Sequence, residues 1–71
     1  MKVTVKVRFN AIRESFENFG NNKYIIYLPF EKDEDSANVL IQMLSRKIGT
    51  PPNRIEFVAL DMNNDWVFDV S

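Results

Sequence analysis

The chain has 71 residues, of which 45% are hydrophobic and six are Phe, so it can form one domain with a core but not two. It contains no Cys and no His, which excludes disulfides, thiolate zinc sites and nucleophiles that depend on a Cys or His partner. Nine basic and ten acidic side chains give a net charge of −1, which favours neither nucleic acid nor an anionic membrane. We therefore expect one domain over residues 1–71 that is not an enzyme and needs no cofactor or metal.

The first predicted strand has a period of two, with Val3, Val5, Val7 and Phe9 alternating with Lys2, Thr4, Lys6 and Arg8. This alternation is typical of a strand with one buried and one wet face. It does not resemble the apolar core of a signal peptide, and no apolar run approaches the roughly 20 residues of a membrane span. We therefore expect a cytoplasmic protein.

The next segment, between Asn10 and Asn22, contains three large apolar residues at helical spacing, Ile12, Phe16 and Phe19. Their positions at i, i+4 and i+7 predict a short helix that begins after Asn10, and an ordered loop is the alternative.

A second strand is predicted over residues 23–30, where β-branched and aromatic residues are frequent and Pro29 ends the run. Both of its faces are apolar: Ile26 and Leu28 would point one way, and Ile25 and Tyr27 the other.

The main helix is predicted over residues 36–49, with one apolar stripe made of Ala37, Leu40, Ile41, Leu44 and Ile48. Ser36 is the expected N-cap and Gly49 the expected left-handed C-terminal cap. Residues 54–59 and 66–70 then predict a third and a fourth strand, joined by the five-residue loop D-M-N-N-D.

The order strand, strand, helix, strand, strand predicts an α+β fold in which one helix packs on one face of a single sheet. If the helix joins two parallel strands, the first strand can lie between them and be antiparallel to both. The expected sheet therefore has four mostly antiparallel strands in the order 2-1-3-4, a β-grasp-like arrangement.

Residues 5–20, V-K-V-R-F-N-A-I-R-E-S-F-E-N-F-G, precede a strand closing on Leu-Pro and an amphipathic helix. This pattern resembles the small subunit of molybdopterin synthase and its thiamine sulfur-carrier relatives, and the matching positions are Phe9, Arg13, Glu14, Gly20, Leu28 and Pro29. The resemblance implies the ubiquitin-like β-grasp fold. Such carriers act through a C-terminal Gly-Gly, whereas this chain stops at Asp69-Val70-Ser71, so the carrier chemistry is not carried over.

A second likeness is to the Phox/Bem-type interaction domains, in which an acidic hairpin binds a basic strand of another copy. Here the acidic hairpin would be D-M-N-N-D-W-V and the basic strand V-K-V-R. The same hairpin has the Asp61, Asn63, Asp65 spacing of a calcium loop, but Trp66 stands where such a loop needs Gly. The sequence therefore favours a docking loop or a plain turn over a calcium site.

The second face of the predicted sheet is unusually apolar, because Ile25, Tyr27, Val58 and Val67 point away from the helix. An apolar patch with a charged rim is typical of a contact surface. The alternative is that residues 10–22 fold across this face and bury Phe16 and Phe19 there. The predicted protein-binding residues are Ile25, Tyr27, Val58, Val67, Lys6, Arg8, Arg54, Asp61, Asp65 and Trp66.

These patterns predict a non-catalytic protein–protein interaction module or small regulatory protein, which binds through a sheet face or edge. The expected partner is another protein, and a second copy joined through strand four or the sheet face is one form of it. Alternatives are a degenerate or truncated sulfur carrier, a small phage or mobile-element inhibitor of a host protein machine, and a weak nucleic-acid binder.

Overall fold

The computed structural model describes residues 1–71 as one mixed sheet with one helix across one face. The elements in chain order are β1 (Lys2–Arg8), β2 (Ser15–Asn18), β3 (Lys23–Tyr27), α1 (Ser36–Ile48), a 3₁₀ turn (Pro52–Arg54), β4 (Ile55–Leu60) and β5 (Trp66–Val70). The expected α+β class with a single sheet and a single main helix is confirmed.

The sheet has five strands in the order β2-β3-β1-β5-β4, so the predicted four strands and their order are wrong. β1 and β3 are parallel, with Val5 beside Tyr24 and Val7 beside Ile26, whereas the prediction made this pair antiparallel. The other three pairs are antiparallel. The parallel pair requires the chain to return to the start of β1 before β3 begins, and residues 9–22 make that return.

The returning segment is not the predicted helix, because it forms β2 and pairs with β3 as an antiparallel hairpin. Its turn has positive φ at Gly20, Asn21 and Asn22, and the Lys23 N–H donates to the Gly20 carbonyl oxygen at 3.0 Å. Left-handed residues at this place match the twist of paired strands. Phe16 therefore lies beside Ile26 on the helix side of the sheet, where its ring is 5.1 Å from that of Tyr24.

The last strand, β5, lies inside the sheet instead of at its edge. It pairs with β1 on one side, where Val3 is opposite Phe68, and with β4 on the other. This placement buries Phe68 completely and leaves Ala59 and Leu60 of β4 exposed. Because both sides of β5 are paired, strand four is not the free edge on which the predicted homodimer through strand four was based, and the free edges belong to β2 and β4.

The helix α1 packs as its apolar stripe predicts, with Leu40 and Leu44 fully buried. Its C-terminus is also as expected: Gly49 has φ +71° and its N–H donates to the Ser45 carbonyl oxygen. The N-cap is Asp35 and not Ser36, which is the first helical residue. The buried Ser36 hydroxyl instead accepts a hydrogen bond from the Asp33 N–H at 2.9 Å.

The core lies between α1 and the sheet and comprises Val3, Val5, Ile26, Leu28, Leu40, Met43, Leu44, Ile55, Trp66, Phe68 and Val70. Every strand residue predicted to meet the helix is in this core or packs against it. α1 has 13 residues, and no helix is long and apolar enough to cross a membrane.

Candidate protein-binding face

One face of the sheet is covered by α1, and the other, which we call the open face, carries no helix. Side chains alternate between the two faces along a strand. The residues that directly precede or follow the buried Val3, Val5, Ile26 and Phe68 in the chain therefore point to the open face. The open face consists of Lys2, Thr4, Lys6 and Arg8 of β1, Ser15 and Glu17 of β2, Lys23, Ile25 and Tyr27 of β3, Glu56 and Ala59 of β4, and Val67 and Asp69 of β5.

Three of the four predicted apolar residues, Ile25, Tyr27 and Val67, lie on the open face and are half-buried. The fourth, Val58, sits where the β4–β5 register shifts between Phe57 and Ala59, and it is 56% exposed. Such a β-bulge changes the direction of the side chain that it carries. The sequence therefore identified the apolar strip, but Val58 stands at its margin instead of in line with it.

Two of the predicted charged residues, Lys6 and Arg8, are exposed on the open face, and so is Asp69 of β5. Arg54 is in the 3₁₀ turn ahead of β4, where its carbonyl oxygen accepts from the Ser71 N–H, so it marks one end of the sheet. Arg8 is the last residue of β1 and lies at the other end of the sheet from Arg54.

Trp66 does not belong to the open face, although it was among the predicted binding residues. It is buried on the helix side, where its ring centroid is 5.1 Å from that of Phe57 and 6.2 Å from that of Phe9. The Lys32 ammonium lies 5.4 Å from the Trp66 ring centroid, a cation–π distance. Trp66 is therefore a core residue whose removal would damage the fold before it affected any surface.

A groove of about 540 Å³ crosses the open face. It is lined by Thr4, Lys6 and Ile25 of the sheet, by Phe19 and Lys23 of the β2–β3 hairpin, and by Asp61, Asn63 and Asp65 of the β4–β5 loop. Phe19 is 61% exposed, so residues 10–22 do not cover the open face, and Phe16 is on its other side. The alternative in which this segment buries both Phe side chains on the open face is wrong.

The β4–β5 loop is shaped by the Asp61 carboxylate. Its Oδ1 accepts hydrogen bonds from the backbone N–H of Asn63 at 2.8 Å and of Asp65 at 3.0 Å, and Asn64 has φ +62°. The predicted five-residue hairpin loop is confirmed. This carboxylate oxygen is used within the turn, so Asp61 has less capacity to bind a cation or a partner than its charge suggests.

Charges of opposite sign are separated across the strands β3, β1, β5 and β4 of the open face, while the edge strand β2 adds Glu17, whose carboxylate accepts a hydrogen bond from the Tyr27 hydroxyl. The basic half is formed by β1 and β3 and carries Lys2, Lys6, Arg8 and Lys23. The acidic half is formed by β5, β4 and their loop and carries Glu56, Asp61, Asp65 and Asp69. The only ion pair of the protein joins the Met1 amino group to Asp69 at 3.5 Å. The basic half therefore has no ion-pair partner within the chain.

The sequence prediction missed several residues of this face, among them Lys2, Thr4, Lys23 and Glu56. The alternation of side chains in β1 already places Lys2 and Thr4 on the open face. Glu56 alternates in the same way with Ile55 and Phe57. Phe19 and Asn63 could not be found in this manner, because only the packing of two hairpins brings them to the groove.

No protein-family model, curated protein or solved structure matches the chain with significance. The resemblance to sulfur carriers and the likeness to Phox/Bem-type domains therefore stay predictions. The function of this protein has to be inferred from the geometry of the open face.

Proposed function

We propose that this protein is a non-catalytic protein-binding module, of the kind a small regulatory protein uses, and that the open face is its binding surface. The observation that supports this most is the placement of Ile25, Tyr27 and Val67, which are only half-buried, on a face that carries no helix. Burying apolar area on association is the main favourable term in most protein interfaces.

The charged residues around this strip suit a selective interface better than an indiscriminate one. Lys6 and Arg8 border Ile25 and Tyr27 on one side, since each pair is in register between β1 and β3. Charges at the rim of an interface contribute mainly to orientation, to the association rate and to rejection of wrong partners. The open face therefore combines an apolar centre with a charge pattern that a partner would have to match.

Acid–base catalysis receives little support from this geometry. All Asp and Glu side chains are exposed except Asp61 and Asp65, which are half-buried, and the only buried polar side chain is Ser36. General acid–base work depends on a cleft that displaces the pKa of a carboxyl or amine from its ordinary value. An open face whose charged groups are solvated is better suited to binding.

Site-specific photocrosslinking in the native host tests the proposal. A photoreactive phenylalanine analogue replaces Tyr27 in one variant and Gln42, an exposed residue of α1, in the matched control. We expect a discrete crosslinked product that contains a second polypeptide, identified by mass spectrometry, from position 27 and not from position 42. Equal product from both positions, or none from position 27 with the protein folded, would contradict the proposal.

A further inference from the structure

We infer that the partner of the open face is a second copy of this chain, and that two copies pack sheet to sheet about a two-fold axis parallel to the strands. This inference rests on the proposed function, because it assigns an occupant to the same surface. It starts from the separation of the basic half from the acidic half, which makes the open face electrostatically self-complementary.

The direction of the axis is given by the register of β1 and β5. Lys2 is beside Asp69, Thr4 is beside Val67, and Lys6 is therefore level with Asp65 just before β5 begins. A two-fold axis that runs between these strands, parallel to them, keeps each residue at the same position along the strand direction. It exchanges the two sides of the sheet across the strands. β1 of one copy then lies over β5 of the other.

This arrangement places Lys6 opposite Asp65 of the second copy and Lys2 opposite Asp69 of the second copy, and each contact occurs twice. A two-fold axis perpendicular to the strands would instead place the basic halves on one another, which like-charge repulsion disfavours. A head-to-tail contact would leave one basic and one acidic half unused and would continue into a chain of copies. Only the first arrangement satisfies both halves in a closed dimer.

Whole-molecule charge does not oppose this pairing, because the net charge of each copy is only −1. Among the apolar residues, Val67 lies close to the axis opposite Thr4 of the second copy, while Ile25 and Tyr27 lie further out over the second copy's acidic half. Two sheets packed face to face with nearly aligned strands are a standard protein arrangement.

The size of the face predicts a weak dimer. With the axis between β1 and β5, only the strands β3, β1, β5 and β4 of each copy overlap. At a spacing of about 4.8 Å and a length of about five residues, these four strands cover roughly 300 Å² per copy, or about 600 Å² from two copies, before the relief of the side chains is counted. Specific interfaces usually bury about 1,200–2,000 Å² in total. We therefore expect a dissociation constant on the order of 10⁻⁵ to 10⁻⁴ M, which weakens as salt screens the charges.

Sedimentation equilibrium on wild type and two charge reversals, Lys6→Glu and Asp65→Lys, tests the inference. Asp65 contributes its backbone N–H and its carbonyl oxygen to the loop but not its side chain, so the side chain can be changed without removing these hydrogen bonds. Matched controls are Arg46→Glu on α1 and Glu34→Lys ahead of it, both exposed and away from the sheet. All variants are first checked for an unchanged thermal midpoint.

We expect wild type and both controls to form a closed dimer, and each reversal alone to weaken it by about tenfold or more because both symmetric contacts become repulsive. An equimolar mixture of the two reversals should dimerise like wild type, since every contact in the mixed dimer again joins opposite charges. A monomeric wild type, association that continues beyond the dimer, or a mixture that stays monomeric would each overturn the inference. If position 27 still crosslinks a different protein while wild type is monomeric, the proposed function stands and only the second copy is excluded.

Discussion

The substitution Leu44→Ala in the middle of α1 should nearly unfold this protein. Leu44 is fully buried in the core between the helix and the sheet, and the change removes three carbon atoms from it. At about 0.8 kcal/mol per buried methylene, the lost transfer free energy is about 2.4 kcal/mol. The cavity left behind adds to this, so the total loss should be about 2–5 kcal/mol.

The consequence is large because a domain of this size has only about 3–5 kcal/mol of net stability. Each kcal/mol lowers the midpoint of a 60–100-residue domain by roughly 4–8 °C, so we expect a fall of at least about 8 °C, measured by circular dichroism. Gln42→Ala is the matched control, because it changes an exposed residue of the same helix to a good helix former. If Leu44→Ala melts within about two degrees of the control, the deduced packing of α1 is incorrect.

Three further predictions concern the C-terminal cap of α1 and the β4–β5 loop. Gly49→Ala should cost about 1 kcal/mol in urea unfolding, because φ +71° strains an L residue although no atom obstructs its Cβ, and Gly49→Asn should cost less; equal stability of all three would refute a left-handed cap. Asp61→Ala should cost about 1–2 kcal/mol and speed amide exchange at Asn63 and Asp65, whose N–H groups lose their acceptor; unchanged exchange would show that the carboxylate does not order the loop. Millimolar calcium should leave the amide spectrum of wild type unchanged, because one Asp61 oxygen is already engaged, and saturable shifts confined to residues 61–65 would contradict this.

The sequence by itself determined the elements with strong periodicity. Alternating residues in β1 and the 3.6-residue stripe of α1 each depend on a local pattern, which fixes the face that must be buried whatever the rest of the chain does. The same logic identified Ile25, Tyr27 and Val67 as residues that point away from the helix, and Gly49 as the residue that ends it.

Short apolar spacings were ambiguous, and residues 10–22 show the reason. Ile12, Phe16 and Phe19 fit one face of a helix, yet three positions cannot outweigh a turn whose left-handed residues favour a hairpin. The pairing of β2 with β3 also satisfies backbone groups that a short helix would leave free at both ends.

Only the tertiary structure decided which strand lies beside β1. β4 and β5 form one hairpin, so either could occupy that place without changing any local pattern, and the choice depends on burying Phe68 and Trp66 at the centre of the sheet. Strand order arises from contacts between residues far apart in the chain, which a local period cannot encode. That order places the cations of β1 and β3 on one half of the open face and the carboxylates of β4 and β5 on the other.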